Sequence, residues 1–357
     1  MLDSKREIIY IFNLSHSQEN EILSHSIDWV EQFTRHFMNI GVFTMEWDGD
    51  LGKQRQISIV QLKRNKHESK FMVILRTLRS LKTIYLNRSK ACVFFHMNHK
   101  PIIIVGIFLR FWNVPSGLWY SHRKNSVLLK VSEKIVNYVF SPTLEAFPVQ
   151  SKKLLVTGHG ISQIFLGQVF QGNRLNALVH LGRVASVKRI EDVIFALSTL
   201  PNTCRRLDLI GSVSNLEYKS FLLEVAEKVG VSINFLGAKK KHELINLLKD
   251  YSVCFSGTQR SIDKAPLEAA SLGCFIVSPN KELLRLTGMN ALMEKHAYSC
   301  SMNYSLQSQL EFILLSGKFD NKADRIVVSD ITRGNNSLSS TINRISLALK
   351  SGRTYNE

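Results

Sequence analysis

No apolar run in this 357-residue chain is long enough to cross a bilayer. The most apolar segment, Pro101–Trp112 (PIIIVGIFLRFW), is too short and contains Arg110. There is no low-complexity stretch, no repeat and no Pro/Ser-rich linker, which excludes solenoids, propellers and flexible arrays. Cysteine is sparse. Cys92, Cys204, Cys254, Cys274 and Cys300 are scattered, odd in number and never in a C-x-x-C pair, so neither a disulfide framework nor a zinc ribbon is expected. Cys92, Cys254 and Cys274 lie in apolar strand-like runs, where a thiol behaves as a small hydrophobe. Reduced thiols and a cytoplasmic setting follow as expectations. No pair of catalytic carboxylates stands out, which argues against a glycoside hydrolase.

Acid is also scarce, and unevenly so. The net charge is +17. Between Lys53 and Lys134 there are 17 Lys and Arg against only Glu68 and Glu133, a local balance of +15. Such a face attracts anionic lipid, a phosphorylated acceptor or nucleic acid. The first two are expected here, because no nucleic-acid motif and no aromatic–basic interleaving accompanies the charge.

With 45% hydrophobic residues the chain suits two domains, each with its own core. The start, MLDSKREIIYIFN, reads as a first strand, not a signal peptide. Apolar residues at Ile22, Leu23, Ile27, Val30, Phe33 and Phe37 make one helical face over Glu21–Met38, and VFTMEW (42–47) is a second strand. Phe71–Ile84 is a basic amphipathic helix. Strands are expected at ACVFFHMN (91–98), GLWYSH (117–122), VNYVFSP (136–142) and KKLLVTGHGI (152–161), with Val127–Val136 as a helix. Periodicity leaves Ile102–Phe111 open between helix and buried strand. The expected division is 1–161, a linker at 162–176, a second domain at 177–335, and a C-terminal helix and tail at 336–357. In the last, Ile342, Ile345, Leu347 and Leu349 are available for packing. Alternation of strands and helices predicts an α/β, doubly wound parallel sheet in both halves.

The most informative stretch runs from Leu178 to Pro279. It reads strand, loop, helix three times, and its strands end in glycine before polar or basic residues. A parallel sheet places phosphate-bearing ligands at that carboxyl edge. Arg183 follows a strand and Gly182, and Lys188 sits five residues on, before a helix at Glu191–Leu200. Two fixed cations there would hold a diphosphate and stabilise its charge as it leaves. In SIDKAPLEAASLG (261–273), Pro266 in the first turn and Gly273 at the end mark a short helix. Its N-terminus near Lys264 and Ala265 would face a phosphate, and Glu268 would accept both hydroxyls of a ribose. Gly237, ahead of Lys239–Lys241, would line a nucleobase with backbone groups. In the first half, His96 and His122 fall at strand ends, where imidazoles tend to face a cleft. Gly158 and Gly160 around His159 would permit close backbone approach.

These pieces, over roughly residues 90 to 280, resemble the GT-B glycosyltransferases of family 4. The first half carries H-M-N, W-Y-x-H and S-K-K-x-x-V-T-G-H-G-I, and the second carries G-R-x4-K, F-L-G and L-E-A-x-x-x-G. The resemblance implies two Rossmann-like domains facing a cleft. It implies retaining transfer of a sugar from a UDP- or GDP-linked donor, without a metal or other cofactor, to a saccharide or lipid-linked acceptor in bacterial surface polysaccharide synthesis. Arg183 and Lys188 would hold the diphosphate, Glu268 the ribose, and His122 would lie near the transferred sugar. His96, His159 and Gly160 are placed on the acceptor side. One departure concerns the donor sugar. The family often has a second Glu eight residues before the ribose Glu, and that position is Arg260 here; Asp263 is the nearest acid. Three other readings stay open at this point: a non-catalytic nucleotide binder on a degenerate GT-B fold, a basic nucleic-acid-binding protein, and a sugar-nucleotide epimerase of similar fold.

Overall fold

A computed structural model describes residues 6–17, 25–48, 56–65, 67–167, 175–259, 261–296, 305–317 and 322–352. Arg260, Cys300, Glu21–Leu23 of the expected first helix and positions 168–174 of the expected linker lie outside these residues. The chain forms two compact units. One comprises residues 1–162 and 338–357, and the other comprises 163–337.

The first unit is built from β1 (Ile8–His16), α1 (His25–Phe33), β2 (Asn39–Trp47), β3 (Ile57–Gln61), α2 (Lys70–Leu86), β4 (Ala91–His96), α3 (Lys100–Phe111), β5 (Ser116–Trp119), α4 (Val127–Ile135), β6 (Tyr138–Ser141) and β7 (Leu154–Val156). The strands are parallel, in the order β3-β2-β1-β4-β5-β6-β7. The order reverses between β1 and β4, the switch point at which such sheets open a crevice. Strands buried on both faces read as continuous apolar runs, and ACVFFH of β4 is buried at every position. One face packs Phe12, Val93, Phe95 and Leu118 under α2, α3 and α4; the other packs Ile11, Val42, Phe94 and Phe140 under α1 and the C-terminal helix.

The second unit is built from β8 (Leu175–Leu181), α5 (Ile190–Ser198), β9 (Arg206–Ile210), α6 (Leu216–Lys228), β10 (Ser232–Gly237), α7 (Lys241–Leu248), β11 (Tyr251–Phe255), α8 (Lys264–Ser271), β12 (Phe275–Val277), α9 (Lys281–Leu286), α10 (Met289–Lys295), α11 (Leu306–Leu315) and α12 (Lys322–Asn336). Its sheet is also parallel, in the order β10-β9-β8-β11-β12, with the switch point between β8 and β11. α11 packs beside α5, and α12 beside α8.

The last helix, α13 (Leu338–Ser351), belongs to the first unit. Ile342, Ile345 and Leu349 are fully buried against the sheet, whereas Leu347 is 51% exposed and does not pack. Thr341 Oγ1 donates to the Thr157 carbonyl (2.8 Å), and Lys350 Nζ to that of His36 (2.6 Å).

Several local expectations change. Ile102–Phe111 is helical, with Pro101 in its first turn. The run KKLLVTGHGI is strand only over Leu154–Val156, because Gly158 and Gly160 take φ of 86° and 69°. At Gly160 a β-carbon would lie 2.8 Å from Trp29 and 3.1 Å from Leu338. The close approach there is between parts of one unit. The thiols of Cys92 and Cys254 are buried in strands, and burial pushes Cys92 up to about 12, so it is inert.

Asp208 in β9 is fully buried and charged. Burial alone would raise its carboxyl, but bonds from Arg206 (2.8 Å), Tyr251 Oη (2.6 Å) and Asn234 Nδ2 (2.7 Å) outweigh that and hold it below the ordinary range. A depressed carboxylate stabilises the fold above its unfolded pKa of about 3.9, and that contribution is lost as pH falls through the lower folded value. Tyr251→Phe is expected to cost about 1.5–3 kcal/mol at neutral pH. Urea melts should show that gap shrinking below about pH 4, as Asp208 protonates in the unfolded chain.

Candidate donor site at the carboxyl edge of the second sheet

β8 ends at Leu181, and the chain continues through Gly182 and Arg183 into a short turn, Ser186–Lys188, which leads into α5. β11 ends at Phe255 and continues through Ser256, Gly257 and Thr258 toward α8. These loops flank the switch point. They meet at Gly257, where a β-carbon would stand 2.0 Å from the backbone oxygen of Lys188. Glycine is required for that contact.

Above it, Lys188 Nζ donates to Asp263 Oδ2 at 2.6 Å, and the two side chains are 12% and 30% exposed. Thr258 Oγ1 donates to the same oxygen at 3.3 Å and lies 3.3 Å from Ser256 Oγ. Asp263 occupies the N-cap of α8 with φ −83° and ψ 152°, yet bonds to none of the first-turn amides. Pro266 carries no N–H, so Lys264 and Ala265 supply the donors of that turn. Glu268 follows one turn on, half-buried, with Lys264 Nζ 4.0 Å from its carboxylate. Arg183 is exposed, and among the described residues its guanidinium makes no hydrogen bond or ion pair. Beneath the loops, His180 Nδ1 donates to the Phe255 carbonyl (3.2 Å), and burial lowers its pKa to about 4, so it stays neutral.

The carboxyl edge of the second sheet therefore carries Gly182, Arg183 and Lys188 after β8 and Asp263, Lys264, Ala265 and Glu268 after β11, with Lys188 paired to Asp263 and Lys264 beside Glu268. This gathers three cations, an uncapped helix N-terminus and two carboxylates, a set suited to a phosphate ester carrying hydroxyls. Gly237 ends β10 at φ 71° with open space around it, and its carbonyl accepts from Gly211 N (3.0 Å). Lys239 and Lys240 beside it are exposed.

In the first unit the expected residues have different surroundings: His96 and Gly160 both pack on Trp29, and His122 lies on an exposed loop. His96 is 4% exposed, stacked 4.4 Å from Trp29 and tilted against Trp119, inside an aromatic cluster and not on an open lip. His122 lies on an exposed loop three residues past β5, edge-on to Tyr120 at 5.8 Å. His159 is buried, and Gly160 packs on Trp29. The sequence reading passed over Asn13, Ser15 and His16 at the end of β1. All three are buried, and among the described residues neither amide atom of Asn13, nor Ser15 Oγ, nor His16 Nδ1 has a hydrogen-bond partner. The available signal was polar residues entering directly after the apolar run IIYIF. Thr258, Ser256 and Gly257 were likewise passed over, because FSGT looks like any strand end.

Comparison of the whole chain with solved structures decides the architecture. HepE from Anabaena, solved with UDP, superposes with a TM-score of 0.70 at 14% identity, covering 97% of this chain and 100% of that one. A glycosyltransferase from Rickettsia africae gives 0.68 at 13%, covering 97% and 98%. WaaG, a glycosyltransferase involved in lipopolysaccharide biosynthesis, gives 0.52 at 12%, covering 95% and 98%. The fold is GT-B. No protein-family model matches the chain, and no curated protein matches its sequence. Among the described residues no group of three or more His, Cys, Asp or Glu would hold a metal ion.

Gly257→Ala would drive a methyl group into the Lys188 backbone. It is expected to destabilise the second unit by about 1–3 kcal/mol and to displace Lys188. Thermal melting together with nucleotide titration checks both effects, and unchanged nucleotide binding would show that Lys188 does not depend on this contact.

Proposed function

We propose that the protein is a retaining, metal-independent glycosyltransferase of family 4 that moves a sugar from a nucleoside diphosphate to a saccharide or lipid-linked acceptor in bacterial surface polysaccharide synthesis. The reading is supported by Arg183 and Lys188 on the segment that follows β8, by the α8 N-terminus and Glu268 on the segment that follows β11, and by the Lys188–Asp263 contact that joins the two. Arg183, Lys188 and the first-turn amides would bind the diphosphate and stabilise the charge that grows on it as the glycosidic bond breaks. The leaving oxygen, so placed, would take the proton of the incoming hydroxyl on the same face. Glu268, on the helix that receives the phosphates, would accept from the ribose hydroxyls. His122 would approach the transferred sugar, and His96, His159 and Gly160 would support the acceptor side. UDP is the first base to try, since HepE was solved with it.

The test is thermal stabilisation by UDP, GDP, ADP and CMP of the wild type, Glu268→Ala and Arg183→Ala. One diphosphate should raise the melting temperature of the wild type, and Glu268→Ala should lose the effect. With the matching sugar nucleotide, Arg183→Ala should lower turnover on the order of 10²–10³-fold. Stabilisation without transfer over a broad acceptor panel would favour a non-catalytic binder. Salt-sensitive binding of DNA or RNA with no nucleotide effect would favour a nucleic-acid-binding protein. Analysis of the products separates transfer from epimerisation.

A lipid-linked acceptor and peripheral placement on the inner face of the cytoplasmic membrane are supported by the layer formed by α2, α3 and α4. Phe71, Leu86, Ile107, Phe111 and Val127 are between 63% and 83% exposed on these helices. Lys70, Arg79, Lys82, Arg110, Lys130 and Lys134 are exposed among them. Of the two acids nearby, Glu68 is held down at about 2, chiefly by its paired bonds from Arg76 (2.6 and 2.7 Å), so it neutralises one guanidinium and leaves Glu133 on α4 as the other acid among these cations. Apolar side chains set among cations suit the boundary of an anionic bilayer. Flotation with vesicles rich in anionic lipid should carry the protein at low salt and release it in high salt. Equal flotation with neutral vesicles would remove the electrostatic part of this reading.

A further inference from the structure

Lys188 and Asp263 are the most closely paired charges of the crevice, and they compete with any anion that enters it. Asp is among the best residues for capping a helix, through bonds from its carboxylate oxygens to the amides of the second and third residues, of which only Ala265 has an N–H in α8 because Pro266 is third. Asp263 stands at the capping position with a suitable extended backbone, and its side chain makes no capping bond. Its Oδ2 instead takes Lys188 Nζ and Thr258 Oγ1. The carboxylate thus occupies the lysine and leaves the helix terminus uncapped. Thr258, itself 3.3 Å from Ser256 Oγ, holds that carboxylate at the crevice.

We propose that Asp263 is a stand-in ligand for Lys188, displaced by the donor diphosphate, and that the displaced carboxylate then accepts from a hydroxyl of the donor sugar. The inference rests on the reading of this crevice as a nucleotide-sugar site. A diphosphate brings more negative charge than a carboxylate and reaches Lys188, Arg183 and the α8 amides together, so it wins the exchange. The exchange is feasible because Lys188 passes from one anion to another and is never left unpaired, while Asp263, 30% exposed, keeps access to water. Once Lys188 turns to phosphate, Asp263 has an acceptor oxygen to offer, with Thr258 keeping it in place. A sugar hydroxyl supplies the missing donor, and the carboxylate then distinguishes a nucleotide sugar from the bare diphosphate. The same carboxylate therefore weakens binding of the product and strengthens binding of the substrate.

The test compares affinities for the bare nucleoside diphosphate and for its sugar nucleotide by calorimetry on the full chain. Asp263→Asn keeps an N-cap residue and nearly the same shape while removing the charge. It should bind the bare diphosphate about 3–10-fold more tightly, bind the sugar nucleotide no better than wild type, and lose at least about tenfold in kcat/KM. Thr258→Val leaves the Lys188–Asp263 pair in place but frees the carboxylate. It should leave diphosphate affinity within about twofold and still lower kcat/KM for transfer. Two failures are separable. If the wild type binds no nucleoside diphosphate, the donor-site reading falls and this inference with it. If the wild type binds and Asp263→Asn, melting as wild type does, binds the diphosphate equally or more weakly, the donor site stands and the stand-in role is overturned.

Discussion

At Gly257 two backbones come so close that no side chain fits, and the crevice of the second unit depends on that contact. The turn that carries Lys188 rests directly on the loop leaving β11. The ammonium therefore stands beside the start of α8 and not out in solvent. The neighbouring groups follow from the same placement. Thr258 is one residue past the contact, Asp263 opens the next helix, and Glu268 follows one turn later. A parallel sheet directs all these segments to one edge, because each strand must end there before its helix returns. The site is a product of topology first, and of particular side chains second.

Much of this could be read from the chain alone, for a physical reason. Strands buried on both faces must be apolar throughout, and helices packed on a sheet must show one apolar stripe, so the alternation of β8 to β12 with their helices was visible. So were Gly182-Arg183, Lys188 and Glu268, since each sits at a fixed offset from a strand end or a helix start. Pairing between distant segments was not visible. Lys188 and Asp263 are 75 residues apart, and only the fold joins them. β3 was missed because it is an edge strand of five residues with alternating exposure, a weaker pattern than a buried run. His96 shows the opposite limit. Its place at a strand end was correct, but Trp29 comes from another element and covers it.

The two units differ in how their charge is arranged. In the second, cations and carboxylates converge at one edge of the sheet and mutual pairing restrains them. In the first, Lys70, Arg79, Lys82, Arg110, Lys130 and Lys134 lie outward on three helices among exposed aromatic and aliphatic side chains, with little acid to answer them. Its own switch point, between β1 and β4, has the polar end of β1 on one side. Asn13, Ser15 and His16 offer both donors and acceptors there, with no Lys or Arg among them. That chemistry suits hydroxyls better than phosphates.

The return of α13 to the first unit has a consequence for how the chain is made. Trp29, Phe33, Phe94 and Phe140 are covered in part by Leu338, Ile342, Ile345 and Leu349. A ribosome delivers those four residues only after the whole second unit has been synthesised. At roughly 5–20 residues per second, the first sheet waits on the order of tens of seconds with one apolar face incomplete. The unit that begins first is therefore finished last. The second unit, uninterrupted in sequence, can close its core while the first still needs protection from aggregation.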